Sequence, residues 1–168
     1  LLSYATASQG AVEVTDAEVE SSLQVAGDNR QQLERALEKV PADQQRGMRW
    51  LIVHMPPQDL QSLEAGFLLD NCRQAYDAWR SAPWHDQVDE ELFVDTILPY
   101  ASLNERREDW RTGFHEQFAP LVAEARSPGE AAAILNNTVY PQVGVIYSTK
   151  RPKADQSPHE SIDAGMSS

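Results

Sequence analysis

Along much of this chain apolar residues recur at three- and four-residue spacing, in stretches separated by prolines, glycines and short polar runs. That spacing marks amphipathic helices. Thr15 and Glu18 form a capping box, each side chain placed to meet the other's free backbone N–H, with Val14 and Val19 as a hydrophobic staple. Gly27 stops this first helix. Asp28 with Gln31 is expected to cap a second, whose stripe is Leu33, Leu37 and Val40 and which Pro41 ends. Residues 43–55 read as a third helix with Met48, Leu51, Ile52 and Met55 on one face, closed by Pro56-Pro57. The fourth and longest is expected from about Leu60 to Arg80, with Leu68, Cys72, Ala75 and Trp79 in register and Tyr76 flanking.

Ser81-Ala82-Pro83-Trp84 breaks that helix, and Asp89 is placed to cap the next, in which Phe93 and Ile97 share a face before Pro99. Ser102 and Glu105 make a second capping box, followed by Trp110, Phe114 and Phe118 along one side of a helix that kinks or restarts at Pro120. Ser127-Pro128-Gly129-Glu130 is a third start signal, with proline at the first helical position, for a helix running to about Val139. Residues 143–148 are β-branched and aromatic and form the one strand-like run. The pattern predicts an all-α fold of about six to eight helices, with at most one short strand near 143–148. Residues 1–13 are small and polar and read as a disordered end, residues 14–149 as the helical domain, and residues 150–168 as a C-terminal tail.

Composition narrows the partners. With 14 basic against 26 acidic side chains the net charge is −12. Nucleic acid is thereby excluded as an expected partner, because phosphate binding needs clustered Lys and Arg. No apolar run approaches the roughly 20 residues of a membrane helix, so membrane insertion is not expected. A single cysteine, Cys72, rules out an intramolecular disulfide.

Candidate chemistry is sparse. Cys72 lies mid-helix on an apolar stripe with no basic or His neighbour in that stripe to lower its pKa, so it reads as core rather than nucleophile. His115-Glu116 lacks the second histidine of a zinc motif, since Ala119 and Pro120 follow. Glu105 to Arg111 is a dense charge run, expected on a helix, in which Glu105 and Asp109 would be like-charged neighbours. That conflict suggests that Glu105 or Arg111 serves tertiary contacts, first of all as a buried structural ion pair.

A cluster of large aromatics, Tyr76, Trp79, Trp84, Phe93, Tyr100 and Trp110, with three of the four tryptophans, falls within residues 68–111. The blocks Leu69-Asp70-Asn71-Cys72-x-x-Ala75, Ala82-Pro83-Trp84, Leu92-Phe93-Val94, Ile97-Leu98-Pro99-Tyr100-Ala101 and Glu105 through Trp110-Arg111 occur here in order. They resemble the helical region that precedes the catalytic core of bacterial transglutaminase-like proteins. Ile134-Leu135-Asn136, Tyr140 and Ser157-Pro158-x-Glu160-Ser161-Ile162-x-x-Gly165 continue the likeness, which covers roughly residues 60–168. The resemblance implies a Cys-His-Asp triad on a papain-like α+β core. In similar proteins the cysteine follows closely after the Ser-Pro-x-Glu and Gly segment, at a helix start whose dipole favours a thiolate. It is therefore expected beyond Met166-Ser167-Ser168, and Cys72 does not match its position.

This stretch is accordingly expected to hold no catalytic, cofactor or metal residue and to be inactive alone. Its role would be to buttress the core, with Trp84, Tyr100, Glu105, Trp110 and Arg111 as cleft or core-contact residues. The expected partner is that core or another protein, and the family suggests an exported or periplasmic setting. The alternative is a stand-alone helical module that binds a protein through its aromatic face. The tail carries a helix start at Ser157 and an i,i+4 apolar pair, Ile162 and Met166, but too little apolar surface to fold by itself. It is expected to be mobile in the isolated monomer unless it docks on the core, on the helices around Trp84 and Trp110, or on a second chain.

Overall fold

The computed structural model describes residues 13–101 and 105–143. They form eight α-helices: α1 Asp16–Val25, α2 Arg30–Lys39, α3 Gln45–His54, α4 Pro57–Leu60, α5 Ala65–Ser81, α6 Glu90–Leu92, α7 Arg111–Val122 and α8 Pro128–Val143. Phe93–Ile97 prolong α6 as a π-helical turn. The described residues contain no strand, and the fold is all-α. Of the strand-like run, Val143 is the last residue of α8, and residues 144–148 lie outside the described residues, as do 1–12, the tail and the Ser102 of the second capping box.

Helix starts follow local signals where the capping groups have no other work. Thr15 Oγ1 accepts from the Glu18 N–H at 3.3 Å, and the Thr15 N–H donates to Glu18 Oε2 at 2.8 Å. Gly27 adopts φ +56°, the left-handed turn that releases α1. Asp89 Oδ1 accepts from the Leu92 N–H at 2.8 Å, and Ser127 Oγ accepts from the Glu130 N–H at 3.1 Å.

Four expectations change. Asp28 does not cap α2; a 3₁₀ turn, Gly27–Asn29, leads into it. The Asn29 side chain instead donates to the Leu60 and Leu63 carbonyls, both at 2.9 Å. The long helix expected from about Leu60 begins at Ala65 as α5, and Pro57, expected only to close α3, opens the separate short α4, Pro57–Leu60. Helices α7 and α8 run through Pro120 and Pro141, each ending two residues later. A proline costs one intrahelical bond, and near a C-terminus that loss shortens the helix without breaking it. Residues 105–110, the charge run expected on a helix, are not helical; α7 begins at Arg111.

Helix α5 is the axis of the packing. It meets α2 and α3 on its core side and α7 elsewhere. Leu68, Cys72 and Ala75 are fully enclosed, and Tyr76, expected to flank the stripe, is 1% exposed. Leu33 and Ala36 of α2 and Met48, Leu51 and Ile52 of α3 close over the same core. Phe93 completes it, edge-on to Tyr76 at 4.6 Å and stacked on Trp79 at 4.4 Å. Each such side chain contributes about 1.5–3 kcal/mol when buried. This core draws on residues 19–100, and α7 and α8 pack outside it.

Tyr76 fits only because residue 47 is glycine. A Cβ there would stand 2.8 Å from Tyr76 Oη and 2.9 Å from Leu98 Cδ2. Both neighbours are fully buried and cannot step aside. An exposed helical Gly→Ala change would stabilise by up to about 1 kcal/mol. Gly47→Ala is expected to reverse that sign and destabilise by about 1–3 kcal/mol, the usual cost of overpacking. Urea unfolding of the two proteins checks this; a variant at least as stable as the parent would contradict it.

Candidate functional site

Two features outside the core gather the residues singled out by sequence: a polar joint where α6 ends, and a cleft beside it. The joint begins with the π turn, in which the Leu98 N–H donates to the Phe93 carbonyl at 2.9 Å. Helix C-termini leave carbonyls without intrahelical partners. Here they find Arg111. Its Nη2 donates to the carbonyls of Ile97 at 2.5 Å, Pro99 at 2.8 Å and Leu98 at 3.1 Å, and its Nε donates to Asn71 Oδ1 at 2.7 Å. Asn71 Nδ2 returns a bond to the Leu98 carbonyl at 2.9 Å. The expected buried ion pair at Arg111 is thus corrected: among the described residues it is bonded to carbonyls and an amide, not to a carboxylate. Burial pushes its pKa down to about 10, which leaves the guanidinium charged at neutral pH. Helix C-termini favour such a cation, and the α6 carbonyls offset its place at the start of α7.

The ion pair belongs to Arg107 instead. Its Nε donates to Asp59 Oδ2 at 2.9 Å, with side-chain exposures of 20% and 10%. Tyr100 Oη donates to the same oxygen at 2.8 Å, and Arg107 Nη1 donates to the Glu105 carbonyl. Tyr100 is therefore a buried fastener between α4 and the post-π segment rather than a cleft residue. Neither Asp59 nor Arg107 stood out in the sequence, because their pairing spans 48 residues. Trp110 Nε1 donates to the Tyr100 carbonyl at 2.8 Å, and the Arg111 guanidinium lies 4.6 Å from the Trp110 ring centre.

The cleft has a volume of about 740 Å³ and lies between the outer face of α5, the Pro83-Trp84 corner, α7 and Leu135 of α8. That is the size of a typical ligand or side-chain-docking site. Trp84, Trp110 and Arg111 stand on its walls; Tyr100 and Glu105 do not. Trp110, Phe114 and Phe118 form an edge-to-face row, with ring centres 5.2 and 5.5 Å apart. Asp77, His115 and Glu116 supply polar groups. Gln87 Nε2 donates to the Arg126 carbonyl at 2.8 Å, tying the loop after Trp84 to the turn between α7 and α8.

The cleft can hold an apolar group, and Ser81, Thr112 and His115 are among its polar lining. Cys72 is not on its walls, and burial pushes its thiol up to about 12, against weaker opposing effects of Arg111 and Arg80. A thiol of that kind is a poor attacking group near neutral pH. Among the described residues no group of three His, Cys, Asp or Glu side chains stands together as a metal site.

No family model, curated protein or solved structure matches the chain. The likeness to transglutaminase-like proteins therefore rests on the short sequence blocks alone.

Replacing Arg111 tests the joint. Arg111→Met keeps much of the length but strands the Ile97 and Pro99 carbonyls and Asn71 Oδ1, while Leu98 keeps its bond from Asn71, and is expected to cost about 2–4 kcal/mol. Arg111→Lys should recover less than half, because an ammonium cannot reproduce the planar fork. Urea unfolding midpoints measure both, and a lysine variant as stable as the parent would refute the role assigned to the fork.

The buried acids set an alkaline limit. The Cys72 thiol rises from 9.0 to about 12 on folding. Tyr76 and Tyr100 are raised above 10.0, first by burial, then by the Glu90 charge for Tyr76 and the Asp59 hydrogen bond for Tyr100. Folded-state values above the unfolded ones give stability that is complete below the unfolded pKa and lost as pH rises. Stability should thus hold up to about pH 9 and fall from there toward about pH 12, with Cys72→Ala removing the earliest part of the fall. Urea titrations across that window decide it; a curve that is flat above pH 9 would contradict the assignment.

Proposed function

We propose that this domain is the helical N-terminal portion of a transglutaminase-like protein, and that it supports a Cys-His-Asp core carried by residues beyond Ser168. The observation that carries this reading is where the resembling blocks meet. The block over 69–75 lies on α5, the block over 97–101 supplies the carbonyls that Arg111 gathers, Trp110 bonds to Tyr100, and Trp84 and Trp110 both line the cleft. Blocks that are separated in sequence form one joint and one wall, as a scaffold for a neighbouring domain requires. The buried, protonated thiol within the described residues fits the same reading, since it is a poor nucleophile. On this reading the domain contributes shape and rigidity, and the reaction, amide hydrolysis or acyl transfer, belongs to the core.

The aromatic row along α7 also favours a second reading, a stand-alone module that receives a partner's apolar side chains. The coding sequence beyond Ser168 separates the two. The first reading expects a cysteine within a few residues, then a downstream histidine and aspartate. It further expects amidase or acyl-transfer activity in the longer chain that disappears when that cysteine is changed to alanine. A stop codon directly after Ser168, or a longer chain without those residues, would overturn it in favour of the second.

A further inference from the structure

The cleft between α5 and α7 carries a cation whose bonding is incomplete. We infer that it binds a free small monocarboxylate with an apolar body, the carboxylate on Arg111 Nη1 and the body along the row of Trp110, Phe114 and Phe118. Three observations carry this, and none depends on a catalytic core beyond Ser168.

The first is a guanidinium short of a counter-charge. Arg111 lines the cleft, and its bonds run through Nε and Nη2 to Asn71 and to the carbonyls of Ile97, Leu98 and Pro99. Nη1 has no hydrogen-bond partner among the described residues. It is not one of the buried polar atoms left without a partner either, so its N–H groups meet solvent. Asp109 acts on the guanidinium only through its field, and its carboxylate accepts from Thr112 Oγ1 at 3.1 Å and from Gln74 Nε2 at 3.2 Å. A half-buried cation gains most from an anion that accepts its N–H groups directly, because such charge-assisted bonds are about twice as strong as neutral ones.

The second is the apolar wall that starts at that cation. The guanidinium lies over the Trp110 ring, and the edge-to-face row runs on through Phe114 to Phe118. From Arg111 to Phe118 this is about 10 Å along the α7 axis. Trp84, Val122 and Leu135 also line the cleft. Mostly apolar walls with a few polar groups to fix orientation are the usual form of a small-molecule site.

The third is the state of the other charges in the lining. Arg73 and Asp77 face each other at 3.5 Å, with 57% and 62% of their side chains exposed. His115 and Glu116 are exposed as well. Charges placed like this are hydrated and screened. Arg111 is the charged residue of the lining that is withdrawn from solvent. A neutral ligand would leave it without a counter-charge, and an ammonium would meet no withdrawn carboxylate there. A second copy of the chain would bring a second net charge of −12.

Calorimetric titration of the full 168-residue chain near neutral pH tests the site, with octanoate, octanol, octylamine and acetate as probes. Octanoate should bind with a Kd at least about tenfold below those of octanol and octylamine. Acetate, which lacks the apolar body, should not saturate. In NMR spectra octanoate should move the indole N–H signals of Trp84 and Trp110 and leave that of Trp50, on α3, in place. Arg111→Met should abolish the preference for octanoate over octanol. His115→Glu puts a carboxylate four residues from Arg111 on an exposed position, and should weaken octanoate relative to octanol by about threefold. That variant decides alone if Arg111→Met does not fold. The inference is overturned if octanoate does not saturate, if octanol, octylamine or acetate binds as tightly, or if the Trp50 signal moves instead. It is equally overturned if the preference survives Arg111→Met or is unchanged by His115→Glu. None of these outcomes bears on the catalytic core proposed above, which is decided by the sequence after Ser168.

Discussion

The guanidinium of Arg111 is the constraint on which the outer half of the molecule depends. Three consecutive carbonyls and one amide oxygen converge on it from two different helices. A π turn delivers those carbonyls at one point, because its wider ring shifts the register of the chain just before Pro99. A planar donor fork at a fixed position then has to be answered by the first residue of α7, which sets where that helix begins. Trp110, the preceding residue, is thereby held against the Tyr100 carbonyl and under the guanidinium, and the aromatic row of the cleft starts from it.

The two half-buried arginines come from one charge run and work because that run is not helical. In a helix Arg107 and Arg111 would be four residues apart on one face, about 6 Å from each other. A non-helical run is free of the rise of about 1.5 Å and the fixed turn per residue that a helix imposes. Residues 105–110 can therefore send Arg107 toward Asp59 beside α4 and Arg111 toward Asn71 on α5. Burying these cations is costly in itself, and a buried pair is weak grounds for stability. What the arrangement gains is position: each guanidinium is satisfied in one geometry only.

Much of the helical plan was legible because capping is local. Thr15 with Glu18, Asp89, and Ser127 with Pro128 and Glu130 needed nothing beyond the next few residues. Asn29 broke that logic, since its side chain serves carbonyls at Leu60 and Leu63 that no local pattern reveals. Tyr76 was misjudged as flanking because its room comes from Gly47 on another helix. Of the residues picked as cleft or contact residues, Trp84, Trp110 and Arg111 line the cleft, while Tyr100 and Glu105 do not. Arg111 stood out through the like-charge conflict around it. Its true partners were hidden, because a backbone carbonyl has no signature in the sequence.

The molecule is consequently held together in two ways. Residues 19–100 are secured by a continuous apolar core, whose stabilisation grows with buried area and tolerates small shifts. Helix α7 has no fully buried residue, and among the described side chains of α8 Ala131 is buried. Their attachment relies on directional bonds: Arg111 at the joint, Gln87 to the α7–α8 turn, and Thr112 Oγ1 to Gln74 Oε1 at 3.0 Å on α5. Bonds of this kind fix orientation without sealing a surface. That is why a wide apolar cleft persists between α5 and α7 where a core would have closed, and why it lies directly beside the Arg111 guanidinium.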